Sequence, residues 1–375
     1  MFRTEIYRIM SRRTVVAGML VGLLFSLYYA LGNTVWGECV LDGGRVLWKE
    51  QAITRDKEIA AGFSGPLTEE TVRDVWEKYG SPVSFTEYDM TEDRLEAAAA
   101  EGGCDNYCSR FVARYFCEKI QEDDGRIRYE LSEDLSQNRY LGGGYVFGYT
   151  GYGNTGYWDI FLVAYVLVCV VTAVSLSPMF SEDYACRTAD IILPAVKGRF
   201  VLWRTRMAAG AVFATIYYWM VCGSVFLQHI LCYGAEELAV SSGLAGMPIF
   251  YREDAAPVWH ALLILHLGGW LGILILAAMV CAVSAMSRRS FSSLIRSLLL
   301  YIGPFAVMRI VLDALPMGRP NKLLHYICYS MPFSYPGVLL ENPAGRRGFF
   351  TAILLTAGAS AMALGGHAYC RHQTG

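Results

Sequence analysis

Five stretches of this chain hold no Asp, Glu, Lys or Arg over lengths that an ordinary soluble fold does not need. They are residues 14–37, 160–181, 207–235, 255–287 and 348–370, of 24, 22, 29, 33 and 23 residues. About 20 apolar residues cross a hydrocarbon core, so each is long enough for a span. A sixth run, 297–316, is interrupted by Arg309 and Asp313; a seventh, 323–340, is broken by Pro332, Pro336 and Gly337. Proline frees backbone carbonyls that hydrocarbon cannot satisfy, so the seventh reads as a re-entrant or interfacial hairpin packed on protein. The expected fold is mainly α, a six-helix transmembrane bundle with that hairpin before the last span. At 54% apolar and 18% charged the chain is neither disordered nor a coiled coil, and a net charge of −2 gives no basic field for nucleic acid.

Arg12 and Arg13 precede the first run as they would a secretory signal. That run is longer than a signal's apolar core and residues 31–36 lack a small-x-small cleavage site, so it is expected to be a retained anchor. Basic residues then set the orientation. Arg3, Arg8, Arg12 and Arg13 precede the first span, Arg187, Lys197, Arg199, Arg204 and Arg206 lie between the second and third, and Arg288, Arg289 and Arg296 follow the fourth. These three places are expected on the cytoplasmic side, with both termini inside and a multi-pass chain in the cell membrane. Residues 316–348 dissent, since an outer loop there carries Arg319, Lys322, Arg346 and Arg347 against Glu341.

Three blocks follow: residues 1–36 with the first span, an extracellular domain at 37–156, and five further spans at 157–375 with a cytoplasmic loop at 180–206 and an outer hairpin at 316–348. The 119 residues at 37–155 hold 23 acidic and 13 basic side chains, leaving a surplus of +8 on the rest. Long domains translocate regardless of such charge. Helical composition at 68–78, 91–101 and 105–121, with Gly80 and Gly102-Gly103 as stops, and short strands at 45–48 and 126–131, make this domain α+β. In the third helix Cys108, Phe111, Val112, Tyr115, Phe116 and Ile120 recur at helical spacing and form one apolar face. Cys39, Cys104, Cys108 and Cys117 sit in this domain, either as disulfide partners in one of three pairings or as buried free thiols.

The chain carries no G-x-x-x-x-G-K-[ST], H-E-x-x-H or G-x-S-x-G motif. No enzyme and no cofactor is therefore expected in this chain, and nucleotide hydrolysis would belong to another. His260 and His266 fall about 120° apart on a helix, a poor shared metal site. Glu236-Glu237 lacks the arginine that a Glu-Glu intramembrane protease places four residues on, because Ser241 stands there. Arg309 and Asp313, four apart, are expected to pair on one helix face within the sixth span.

Between the second and third spans, Ile191, Ile192 and Leu193 are embedded among Glu182, Arg187, Asp190 and Arg199, which suits either docking of a soluble partner or a helix on lipid headgroups. Phe180 and Glu182 closing the second span, then Thr188, Ile192-Leu193-Pro194, Arg199 and Arg206 opening the third, with Arg187 where glycine is frequent, resemble the permease subunits of ATP-binding-cassette type-2 transporters. The basic start into the first span, the large domain after it and the hairpin before the last are similar too. The resemblance implies a dimer of six-span subunits, identical or not, in the lipid bilayer. Each subunit would dock a separate ATP-binding cassette through Glu182, Arg187, Thr188, Leu193, Pro194, Arg199 and Arg206, and export a substrate. A membrane-anchored extracellular sensor or scaffold is the alternative, motivated by the size of the domain.

Overall fold

The computed structural model describes residues 1–29, 38–83, 92–121, 127–152, 156–186, 198–250, 252–312 and 319–371. Its helices are α1 (Phe2–Met10), α2 (Arg13–Tyr29), α3 (Glu50–Ala61), α4 (Glu69–Tyr79), α5 (Glu92–Ala100), α6 (Tyr107–Phe116), α7 (Tyr157–Leu176), α8 (Pro178–Ala185), α9 (Gly198–Tyr233), α10 (Val258–Met286), α11 (Ser290–Val307), α12 (Arg319–Tyr329), α13 (Tyr335–Glu341) and α14 (Ala344–Arg371). Short antiparallel pairs join β1 (Cys39–Asp42) to β2 (Arg45–Trp48), β3 (Gly65–Pro66) to β6 (Val146–Phe147), and β4 (Cys117–Gln121) to β5 (Ile127–Leu131). Five described helical stretches are long and apolar enough to cross a membrane: Tyr157–Ala185, Arg199–Tyr233, Val258–Met286, Ser290–Ile310 and Ala344–Arg371. A sixth arises if α1 and α2, bent by 68° at their junction, count as one.

The chain divides into two compact units. One comprises Met1–Leu27, Trp158–Phe226 and Leu262–Gly375; the other comprises Tyr28–Tyr157 and Leu227–Ala261.

In the apolar unit the residues at 323–340 form two short helices, α12 and α13, around a turn rather than one continuous helix. Met331, Tyr335, Val338 and Leu339 pack with Ile275, Met279, Phe350 and Leu354, and the Tyr165 hydroxyl donates to the Pro332 carbonyl at 2.7 Å. That carbonyl, left without a helical donor at the turn, is thus satisfied within the protein. The α7–α8 break has an equally local cause. Pro178 brings no N–H, so the Val174 carbonyl loses its helical donor and receives the Ser177 hydroxyl instead, at 3.1 Å. The Ser177 carbonyl in turn accepts hydroxyls from Ser181, Ser284 and Ser293 at 3.0, 2.7 and 2.7 Å, which fixes this break to α10 and α11.

The polar unit is α+β. Its core gathers Ile59, Val72, Val75, Phe111, Val112, Phe116, Leu135 and Phe147. Val240 and Leu244 belong to the same core, so the segment after α9, which the sequence offers only as a connection, is part of this unit. Ser241 and Val146 exchange backbone and hydroxyl bonds at 3.0 and 2.8 Å, and the Tyr145 hydroxyl donates to Asp254 at 2.5 Å. Asp56 on α3 accepts the Tyr107 N–H at the start of α6 (2.8 Å) and Arg110 (2.9 Å). An anion there meets orphan donors and the positive end of the helix dipole. Burial nevertheless raises the Asp56 carboxyl from 3.8 to about 7, against the pull of Arg110 and Tyr107.

One expectation for this unit changes. The helix expected over 105–121 stops at Phe116, because 117–121 pairs with 127–131 across five residue positions, from Cys117–Leu131 to Gln121–Ile127. Ile120 is therefore exposed rather than part of the apolar face. The four cysteines Cys39, Cys104, Cys108 and Cys117 are free thiols in the structure, one of the two states that the sequence leaves open. Cys108 lies in the core, and Cys104 accepts a bond from the Asn106 amide at 3.1 Å. Burial pushes the Cys104 and Cys117 thiols up to about 11 and about 12, which keeps them protonated and poor nucleophiles.

Candidate functional site

Three helix ends of the apolar unit converge on one cluster of charge. Glu5 and Arg8 come from α1, Arg12 from the α1–α2 bend, Glu182 and Asp183 from α8, and Arg206 from the third turn of α9. Each position follows from local sequence. On α1, Glu5 and Ile9 share the buried face while Phe2, Arg3 and Tyr7 point outward. On α8, Met179, Phe180 and Asp183 are buried and Glu182 stands at the edge.

Arg206, only 2% exposed, holds the centre. Its Nη1 pairs with Asp183 and its Nε donates to Glu5 at 3.2 Å. Arg8 lies 3.5 Å from Asp183, 3.7 Å from Glu182 and 3.7 Å from Glu5, and donates to the Met179 carbonyl at 2.7 Å. Arg12 pairs with Glu182 and donates to the Ser175 carbonyl at 3.1 Å. Below them the Arg206 guanidinium sits 5.3 Å over the Phe180 ring, which meets Trp203 at 4.9 Å and Tyr369 at 5.1 Å.

Three carboxylates against three guanidiniums leave the cluster neutral, which is what makes its burial tolerable: an isolated ion would cost several kcal/mol to desolvate. Because the pairs cross between α1, α8 and α9, none of these helix ends can shift without opening an ion pair in a region of low dielectric. The cluster carries no nucleophile–base pair, and no group of three or more His, Cys, Asp or Glu among the described residues could hold a metal ion.

Of the expected coupling residues, Glu182 and Arg206 meet in this cluster. Arg199 is elsewhere, donating to the Cys370 carbonyl in the last turn of α14 at 2.9 Å, a favourable place for a cation at a helix C-terminus. Arg187, Thr188, Leu193 and Pro194 lie outside the described residues. So does Asp313, which leaves the expected pair with Arg309 undescribed; Arg309 itself occupies a π-helical turn, Met308–Leu312, 5.8 Å over the Phe305 ring. Glu237 is buried beside His229, 3.1 Å away, and accepts the Gly151 N–H at 3.0 Å, while Glu236 is exposed.

Glu5 and Asp183 were not singled out by the sequence, and Arg8 and Arg12 only as orientation signals. One sign of their role is legible: Glu5, Glu182 and Asp183 stand among the more numerous basic residues at the ends of three apolar runs, where positive charge alone is expected.

No family model, curated protein or solved structure matches this chain.

Proposed function

We propose that this chain is the membrane-spanning permease subunit of an ABC-type exporter, working as a dimer, identical or mixed, with a separate ATP-binding cassette docked on its cytoplasmic face. The observation that carries the reading is the neutral ion cluster of Glu5, Arg8, Arg12, Glu182, Asp183 and Arg206. It ties an amphipathic N-terminal helix to the two helices that flank residues 187–197, the segment whose sequence resembles a cassette-docking loop. A subunit driven from below needs such a joint. Force applied between α8 and α9 passes through Arg206–Glu5 and Asp183–Arg8 into α1 and, across the bend, into α2, so that several spans move as one body. The exposed apolar faces of α11 and α14 suit lipid or a second subunit. In this reading the polar unit lies outside the cell and shapes substrate access.

The test is recovery of the intact complex from native membranes in mild detergent. A stoichiometric chain with a phosphate-binding loop is expected, and ATP hydrolysis that Glu182→Arg uncouples from substrate while insertion survives. A complex free of any ATPase overturns the proposal.

A further inference from the structure

The charge ledger at this end of the apolar unit does not close among the described residues. Arg8, Arg12 and Arg206 use up Glu5, Glu182 and Asp183. Arg3, Arg13 and Arg204 are exposed and form no ion pair with a carboxylate among the described residues. Arg204 lies in an open groove of about 400 Å³ whose other walls are Phe2, Phe200, Val201, Thr205 and Ala208.

The groove has a regular origin. Positions 200, 201, 204, 205 and 208 form one face of α9, and Phe2, at the start of α1, closes the side. Phe2, Phe200 and Val201 are 42%, 58% and 50% exposed, a costly apolar surface to present to water. The Thr205 hydroxyl bonds its own helix, to the Val201 carbonyl at 2.8 Å, and so adds no polar demand to the wall. The Arg204 guanidinium lies 5.6 Å over the Phe200 ring. Arg3, the chain neighbour of Phe2, adds a second positive charge.

We propose that this groove binds one anionic phospholipid, an acyl chain lying against Phe2, Phe200, Val201 and Ala208 and the phosphate on Arg204. The occupant follows from complementarity. An apolar channel that carries a guanidinium with no carboxylate partner among the described residues fits an amphiphile that is negative at its polar end, and an anionic leaflet supplies one. Each basic side chain near such a surface contributes about 1 kcal/mol. The inference needs the chain to sit in a bilayer but does not depend on the transport reading, and its failure leaves that reading untouched. Lipid held here would restrain α1 against α9 beside the ion cluster.

Native mass spectrometry of the full-length protein, titrated with phosphatidylglycerol and with phosphatidylcholine of the same acyl chains, tests it. Wild type is expected to retain one phosphatidylglycerol in preference to phosphatidylcholine. Arg204→Gln should reduce that preference about fivefold, the loss of one such contact. Phe200→Ser should weaken both lipids alike, because it removes wall and not charge. Inorganic phosphate at millimolar concentration should displace neither lipid. Equal retention of the two lipids by wild type, an unchanged preference in Arg204→Gln, or displacement by phosphate alone, which marks a simple anion site, would each overturn the proposal. So would protection of this groove by a bound protein subunit with no lipid retained.

Discussion

The Ser284 hydroxyl donates to the Ser177 carbonyl at 2.7 Å and accepts the N–H groups of Phe180 and Ser181 at 2.9 and 3.1 Å. One donor and two lone pairs are all used. A residue on α10 thus caps the N-terminus of α8, a task that the preceding residue, Ser177, cannot perform while its own hydroxyl serves the Val174 carbonyl.

Ser284→Ala should therefore destabilise the apolar unit by about 1–3 kcal/mol, because two buried N–H groups lose their acceptor. Thermal unfolding in detergent measures this. Ser287→Ala is the control, since that hydroxyl only bonds back to Val283 at 2.7 Å, and should change little.

Arg206→Ala leaves the buried Asp183 and Glu5 with only their longer contacts to Arg8, and a loss of roughly 3–5 kcal/mol is expected. Arg206→Lys should recover less than half, since one ammonium cannot copy a fork that uses Nε for Glu5 and Nη1 for Asp183. A double variant, Arg206→Met with Asp183→Leu, should cost less than the sum of its parts. Strict additivity in the same unfolding assay would deny the pairing.

The polar unit should be more stable at pH 5.5 than at pH 7.5. The Asp56 carboxyl, raised from 3.8 to about 7 by burial, holds its proton in the folded state where the unfolded chain has released it. Stability from this group is full below about 4 and is lost as pH rises toward 7. Burial raises Asp105 and Glu38 as well, with the same sign. Hydrogen exchange of 107–116 in the full chain, corrected for intrinsic rate, should lose protection by up to about tenfold per pH unit across that window. Asp56→Asn should flatten the profile.

A Cβ on Gly365 would lie 2.7 Å from the Ala282 Cα and 2.8 Å from the Trp203 ring. Backbone and ring cannot both yield, so Gly365→Ala should cost roughly 1–3 kcal/mol. Gly348, on the same helix with nothing within 4 Å, should accept alanine with neutral or slightly stabilising effect. Parallel melting curves of the two variants decide this.

Legibility from sequence follows the range of the cause. The apolar runs, the break at Pro332 and Pro336, and α4 with its Thr68 cap and Gly80 stop are set by neighbours within a few residues, and each is readable along the chain. Helix α6 shows where that reading ends. The composition of 105–121 favours helix throughout, yet 117–121 is a strand because 127–131 offers it a ladder. Glu182 and Arg206 could be marked as charges at the ends of spans, but not as members of one cluster.

What the sequence determined alone is which segments avoid water, because the cost of burying a charge is paid residue by residue wherever the segment lies. Only the tertiary structure decided who neutralises whom. Glu5 and Arg206 are 201 residues apart, and Leu244 enters a core built mostly from 59–147. Such partners are selected by the packing of whole helices, since a buried charge or an apolar side chain takes whatever complement the fold brings within a few ångströms.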